Sequence, residues 1–94
     1  MLKEPLEPGK ARRLIQEILE KGSVTLSGHA ESALADDRLS VPDAINVLRA
    51  GVVEPAEFEK DSWRYRVRTQ KIVVVVAFRS ASELRVVTAW RQER

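Results

Sequence analysis

The segment Ile72 to Phe78 is an unbroken apolar run with four consecutive valines at its centre. β-Branched residues in a run of this length form a strand, and one with no polar alternation belongs in the middle of a sheet. The run is far too short to cross a bilayer. The remaining residues must therefore supply neighbouring strands and a layer to cover the sheet. With 94 residues in all there is room for one domain, spanning residues 1–94. A domain of that size buries roughly two-thirds of the surface its unfolded chain exposes.

Before Val52 the apolar residues follow a helical period. Ala11, Leu14, Ile15, Ile18 and Leu19 mark one face of a helix over 9–21, with Pro8 near its start and Gly22 as a stop signal. Ser27 can cap a second helix running to Asp37, whose small face is Ala30, Ala33 and Leu34. Ser40 begins a third, with Pro42 in the first turn, Asp43 at the capping-box position, a stripe of Val41, Ile45 and Leu48, and Gly51 at the end.

After Val52 the period changes to two. The strand candidates are Ala56 to Lys60, Trp63 to Thr69, Ile72 to Phe78 and Leu84 to Arg91, joined by connections short enough for hairpins. The expected fold class is α+β, with N-terminal helices packed on one face of a four-stranded antiparallel meander. Pro55 cannot donate a ladder hydrogen bond, which sends the first strand to an edge.

Two-residue loops at Asp61-Ser62 and Gln70-Lys71 set Phe58 opposite Tyr65 and Tyr65 opposite Val76. One face then carries Phe58, Trp63, Tyr65, Val67, Val74, Val76, Phe78, Leu84, Val86, Thr88 and Trp90, and the helices are expected to cover it. The other carries a row of Arg64, Arg66 and Arg68, an apolar floor of Val73, Val75, Ala77, Val87 and Ala89, and Arg85 and Arg91 on the last strand. A slip of one residue in a hairpin exchanges the faces.

The net charge of +2 conceals an uneven distribution. Residues 1–61 carry 8 Lys+Arg against 12 Asp+Glu, whereas residues 62–94 carry 8 against 2, seven of the eight being Arg. The planar, permanently charged guanidinium fork suits phosphate, so an anionic partner is indicated, nucleic acid first. The competing account is a solvated strand face, with Arg64 paired to Glu59 and Arg66 to Glu57. In that register Arg68, Arg85 and Arg91 have no carboxylate opposite them and remain available to a ligand. A half-apolar open sheet face also calls for a cover, either a partner protein or a second copy of the chain.

Other chemistries find little support. The chain has no Cys and one His, which excludes disulfides, thiolate metal sites and cysteine nucleophiles, and no cofactor or metal is indicated. It has no Gly-rich phosphate loop and no Gly-x-Ser-x-Gly elbow. The start lacks the apolar segment of a secretion signal, so a cytoplasmic protein with no membrane association is expected.

The sequence Gly28-His29-Ala30-Glu31, the helix end Val47-Leu48-Arg49-Ala50-Gly51, the strand Trp63-Arg64-Tyr65-Arg66-Val67 and the closing Val86-Val87-Thr88-Ala89-Trp90 together resemble small bacterial domains related to the MqsR and RelE toxins. The resemblance spans roughly 27–91. It implies the barnase–EndoU–colicin–RelE fold, with helices on one side of an antiparallel sheet. The activity implied is that of a toxin of a type II toxin–antitoxin system, a metal-independent endoribonuclease that cleaves messenger RNA, often on the ribosome. The partner implied is a small antitoxin, which in the MqsR branch can carry a zinc-binding domain. A basic residue on a middle strand of such enzymes matches Arg64 or Arg66, and one on the last strand matches Arg85. Where many members place Tyr or His near the C-terminus, this chain has Trp90 and Arg91.

RNA cleavage requires a 2′-hydroxyl to lose a proton, a phosphorane to be stabilised and a 5′-oxygen to gain a proton. Arginines perform only the second task. The expected catalytic set is therefore His29, Arg64, Arg66 and Arg85, with Tyr65, Arg68, Trp90 and Arg91 contacting RNA. His29 and Tyr65 are the side chains that can move a proton. His29 also has a plain structural account, as a helix-start residue. The alternative to an enzyme is a non-catalytic module of the same fold that docks RNA or an acidic protein on its arginine face.

Overall fold

A computed structural model describes residues 2–92. The elements in chain order are α1 (Pro8–Lys21), β1 (Ser23–Leu26), α2 (Gly28–Asp36), α3 (Val41–Ala50), β2 (Val52–Val53), β3 (Glu57–Glu59), β4 (Ser62–Arg68), β5 (Ile72–Ser80) and β6 (Glu83–Arg91). The three helices match the expected bounds within a residue at each end, but α3 buries Ala44, Val47 and Leu48 instead of the Val41, Ile45 and Leu48 stripe, and Val41 is exposed. Ser27 caps α2 by accepting from Ala30 N–H at 3.0 Å. At α3 both arms of the capping box form: Ser40 N–H donates to Asp43 Oδ2 at 2.8 Å, and Asp43 N–H donates to Ser40 Oγ at 3.2 Å. The donated bond from the Ser40 backbone also holds the Asp43 carboxyl below its usual pKa.

The architecture is α+β, but the sheet is six-stranded and mixed rather than a four-stranded meander. Its order is β1-β6-β5-β4-β2, with β3 pairing β4 beyond β2. Strands β4, β5 and β6 form the expected antiparallel centre, and β5 carries the apolar run. The two additional strands are short. β1 pairs with β6 in parallel, Leu26 lying opposite Val86, and β2 pairs Val53 with Val67.

One face of the sheet meets the helices. Ala11, Ile15 and Ile18 of α1, Ala30 and Leu34 of α2, and Ala44, Val47 and Leu48 of α3 pack against Tyr65, Val67, Val74, Val76, Leu84, Val86 and Ala89. Among the described residues no helix is long and apolar enough to cross a membrane.

The end of α1 lies tightly on the β5–β6 turn. Ser23 N–H donates to Ser82 O at 3.0 Å, and a Cβ added at Gly22 would collide with that same backbone carbonyl. Because the obstacle is backbone, it cannot rotate away. Gly22→Ala is expected to cost roughly 1–3 kcal/mol, read as a lower urea midpoint with an unchanged m-value.

Three departures from the expected register change the surface. First, the β3–β4 turn is Lys60-Asp61, both in the left-handed region with φ of 51° and 65°. This places Phe58 opposite Trp63 and Glu57 opposite Arg64, a slip of two residues. An even slip preserves the faces. Second, the pairing of β5 with β6 shifts between Val75 and Val76, leaving Val87 as an extra residue in β6. Beyond this bulge the faces exchange. Ala89 enters the core, while Thr88 and Trp90 turn to the outer face instead of lying under the helices. Third, a shift between Phe78 and Ser80 leaves Arg79 unpaired in β5, within a strand rather than in a loop.

Candidate functional site

The outer face is not the open arginine platform that the sequence suggests. Arg64, Arg66 and Arg68 stand in a row along β4, and each faces a glutamate. Arg64 lies 3.9 Å from Glu59, Arg66 lies 3.9 Å from Glu57, and Arg68 pairs closely with Glu54 through Nε. The first two are the expected pairs, reached diagonally across the slipped hairpin. Glu54, between β2 and β3, is a partner for Arg68 that strand alternation does not reveal. Exposed pairs of this kind contribute roughly 0.2–1 kcal/mol each, and their main effect is to neutralise the row.

The apolar floor is covered from within the chain. Trp90 sits beside Val73 in the register, Arg66 beside Val75, and the Arg66 guanidinium lies 5.8 Å from the Trp90 ring centroid. Arg and Trp thus meet over β5, leaving Val73 at 4% and Val75 at 7% exposure. The need for a covering partner on this face is correspondingly smaller.

Arg91 leaves the face altogether. Past the bulge it turns to the far end of α2, where its backbone N–H donates to Asp37 Oδ2 at 2.7 Å. Its guanidinium donates to Asp37 O at 3.0 Å and to Arg38 O at 3.2 Å. A cation satisfying carbonyls just past a helix end has a local structural role.

Tyr65 is fully buried in the core, edge-on to Phe78 at 5.1 Å between centroids. Its hydroxyl accepts from Leu6 N–H at 2.9 Å and donates to Glu4 Oε2 at 3.0 Å. A ring with no exposed surface cannot stack on a base, and a hydroxyl engaged on both sides is not free to move a proton. Burial, with the Glu4 carboxylate adding to it against the Leu6 bond, pushes this phenol up to about 12.

The remaining candidates converge on one cleft of about 820 Å³ at the end of the sheet where β4 begins and β5 ends. The β3–β4 hairpin forms one flank with Phe58, Lys60, Asp61, Ser62, Trp63 and Arg64, and the first turn of α2 forms the other with Ser27 and His29. Ala77, Arg79, Arg85, Val87 and Thr88 lie between, and Glu4 lines the lip. Ser27 fixes this geometry. Its N–H donates to Val86 O at 3.0 Å and its hydroxyl donates to Val87 O at 3.1 Å, so the start of α2 is fastened to the bulge in β6. The bulge therefore both turns Trp90 outward and holds His29 at the cleft.

Four basic side chains, Lys60, Arg64, Arg79 and Arg85, share the cleft with two acidic ones, Glu4 and Asp61. Glu4 is engaged by Tyr65, and Arg85 and Arg79 form no ion pair among the described residues. The cleft thus brings His29, Arg64 and Arg85 together and excludes Arg66, Arg68, Tyr65, Trp90 and Arg91. It adds Phe58, Lys60 and Arg79. Lys60 and Arg79 gave no motif signal, since one sits at a turn and the other at a bulge. Phe58 reads as core in an alternating strand, yet is 59% exposed.

Fold and site together define a small α+β protein with helices on one side of a mixed sheet and a cationic, aromatic-lipped cleft at its end. No family model, curated protein or solved structure matches the chain.

Proposed function

We propose that the chain is a toxin-like endoribonuclease related to the RelE and MqsR group, cleaving RNA without a metal at the cleft between α2 and the β3–β4 hairpin. The observation that carries this reading is the convergence of His29, Arg64 and Arg85 in one cleft. His29 is the one side chain there that can exchange a proton as an imidazole, and the guanidinium groups can hold a phosphate and the charge that builds on it. The helices on one side of the antiparallel β4–β5–β6 centre agree with the architecture that the resemblance implies.

In the reaction, His29 takes the proton of a 2′-hydroxyl as that oxygen attacks the adjacent phosphorus. Arg85, with Arg64 beside it only loosely paired to Glu59 at 3.9 Å, stabilises the phosphorane, and the P–O5′ bond breaks to leave a 2′,3′-cyclic phosphate. Tyr65 being buried, the 5′-oxygen takes its proton from solvent water. The test is incubation of a messenger RNA with the full chain in EDTA, with and without ribosomes, followed by end-group analysis. Cyclic phosphate ends in either condition are expected. Intact RNA in both, with RNA still bound, overturns the enzyme reading.

A second reading has its own observation. His29 is exposed, and among the described residues no hydrogen bond orients its ring. General bases are usually held by a partner, so the same cleft also fits a module that binds RNA without cutting it.

Either reading makes phosphate binding depend on the unpaired cations. On a single strand, each phosphate that a cation neutralises adds about 0.7 to the steepness with which log K falls against log salt. Arg79→Ala with Arg85→Ala should flatten the slope accordingly, measured by fluorescence anisotropy of a labelled single strand. Arg68→Ala, which removes an arginine already neutralised by Glu54, should leave it unchanged.

A further inference from the structure

The most exposed large apolar side chain among the described residues, Phe58, lines the cationic cleft. Phe58 is 59% exposed on a three-residue strand, and the turn that follows it, Lys60-Asp61, holds both residues in the left-handed region. Its ring is not loose. Trp63 packs edge-on against it, 5.1 Å between centroids and 67° between planes, and Trp63 in turn packs on the core. An edge contact of this kind fixes the ring while leaving a π-face open.

We propose that Phe58 is a stacking platform for a nucleobase of single-stranded RNA whose adjoining phosphate is held by Arg79 and Arg85. The proposal rests on the reading that the cleft binds RNA, and adds which part of the substrate is recognised and by what. Charge and shape favour this occupant over a protein. A protein segment would need carboxylates to match the cations and an apolar side chain to match the ring at one fixed spacing. Every nucleotide of a single strand carries both a phosphate and a π-face. Bases in a duplex have their faces occupied by neighbours, so single strands are selected. Because a purine overlaps a benzene ring more fully than a pyrimidine does, adenine and guanine are preferred over uracil and cytosine.

The experiment uses the full chain and two labelled hexanucleotides, oligoadenylate and oligouridylate, with inorganic polyphosphate as a base-free competitor. Wild type should bind oligoadenylate more tightly than oligouridylate. Phe58→Ala should lose roughly 5- to 150-fold in oligoadenylate affinity, the usual worth of one stacked base, and most of the purine preference. Its competition by polyphosphate should be unchanged, and Phe58→Trp should restore the loss. A 2-aminopurine placed in the oligoadenylate should be quenched by wild type and by Phe58→Trp but not by Phe58→Ala. Since Phe58 is exposed, the variants should keep the wild-type circular dichroism. Equal oligoadenylate affinity in Phe58→Ala and wild type overturns the stacking platform while the RNA-binding cleft stands. Equal oligonucleotide affinity combined with lost self-association in light scattering assigns the ring to a protein contact and also overturns it. No oligonucleotide binding by wild type overturns the cleft reading itself, and the platform with it.

Discussion

His29→Gln is expected to lower RNA cleavage by roughly 10²- to 10⁴-fold, the usual worth of one acid–base group, with folding and RNA affinity intact. The expectation follows from where the side chain is. It is exposed on the first turn of α2 and lies in the same cleft as Arg64 and Arg85. Glutamine keeps the size and the capacity to hydrogen-bond but cannot accept the 2′ proton. The measurement is single-turnover cleavage per folded molecule, alongside anisotropy for binding and circular dichroism for folding. Arg85→Ala should lower cleavage as well, through lost stabilisation of the phosphorane, and should also weaken binding, which separates its role from that of His29. With Tyr65 withdrawn into the core, no second proton-moving ring borders the cleft. Undiminished cleavage by His29→Gln, with a shifted melting temperature, would mark the residue as a helix-start side chain and assign the proton transfer to another group.

The parts of this molecule that could be read in advance are those where local chemistry and global fold agree. Ser40 and Asp43 specify the start of α3, and the apolar spacing of Ala11, Ile15 and Ile18 specifies the buried side of α1, because each depends on residues within a turn or two. The valine run specifies the middle of the sheet because no other position could absorb it. What could not be read depends on a single inserted residue. Nothing near Val87 marks a bulge: there is no glycine, and the strand alternates on both sides of it. Yet the insertion decides that Trp90 faces outward, that Ala89 is core and that Arg91 reaches α2. The one hint was Thr88, a polar residue at a position the unbroken alternation assigns to the core. β1 and β2 escape detection for a different reason. Four and two residues respectively give too short a sample of period two, and the parallel pairing of β1 with β6 joins segments about sixty residues apart. The arginine row was legible as a row, and two of its partners were legible too. Its neutralisation was not, because Glu54 lies outside any strand the alternation could register.

Tyr65→Ala should remove a large share of the folding free energy, about 3–5 kcal/mol for loss of a buried aromatic ring. A chain of this length typically has about 5–14 kcal/mol in total. The ring has no exposed surface, packs edge-on against Phe78, and fastens the segment before α1 to the sheet through Leu6 N–H and Glu4. Tyr65→Phe isolates the second function. It keeps the ring and deletes the hydroxyl, leaving the Leu6 amide and the Glu4 carboxylate without that partner, at a cost of roughly 1–3 kcal/mol. Alkaline pH provides an independent check. In the unfolded chain the phenol ionises near 10.0, and in the folded protein burial raises it to about 12. A group whose folded pKa is raised gives its full stabilisation below the unfolded value, so stability should hold up to about pH 10. It should then fall between pH 10 and 12, where the unfolded state has already released the proton and the folded state has not. Tyr65→Phe should start lower and lack that contribution to the alkaline fall. Because Tyr65 is the only tyrosine in the chain, phenolate absorbance follows it alone. Titration at the ordinary value in the folded protein, together with unchanged urea stability of Tyr65→Phe, would show the hydroxyl to be solvated. The N-terminal segment would then be held by the packing of Leu2 and Leu6 on the core rather than by the tyrosine.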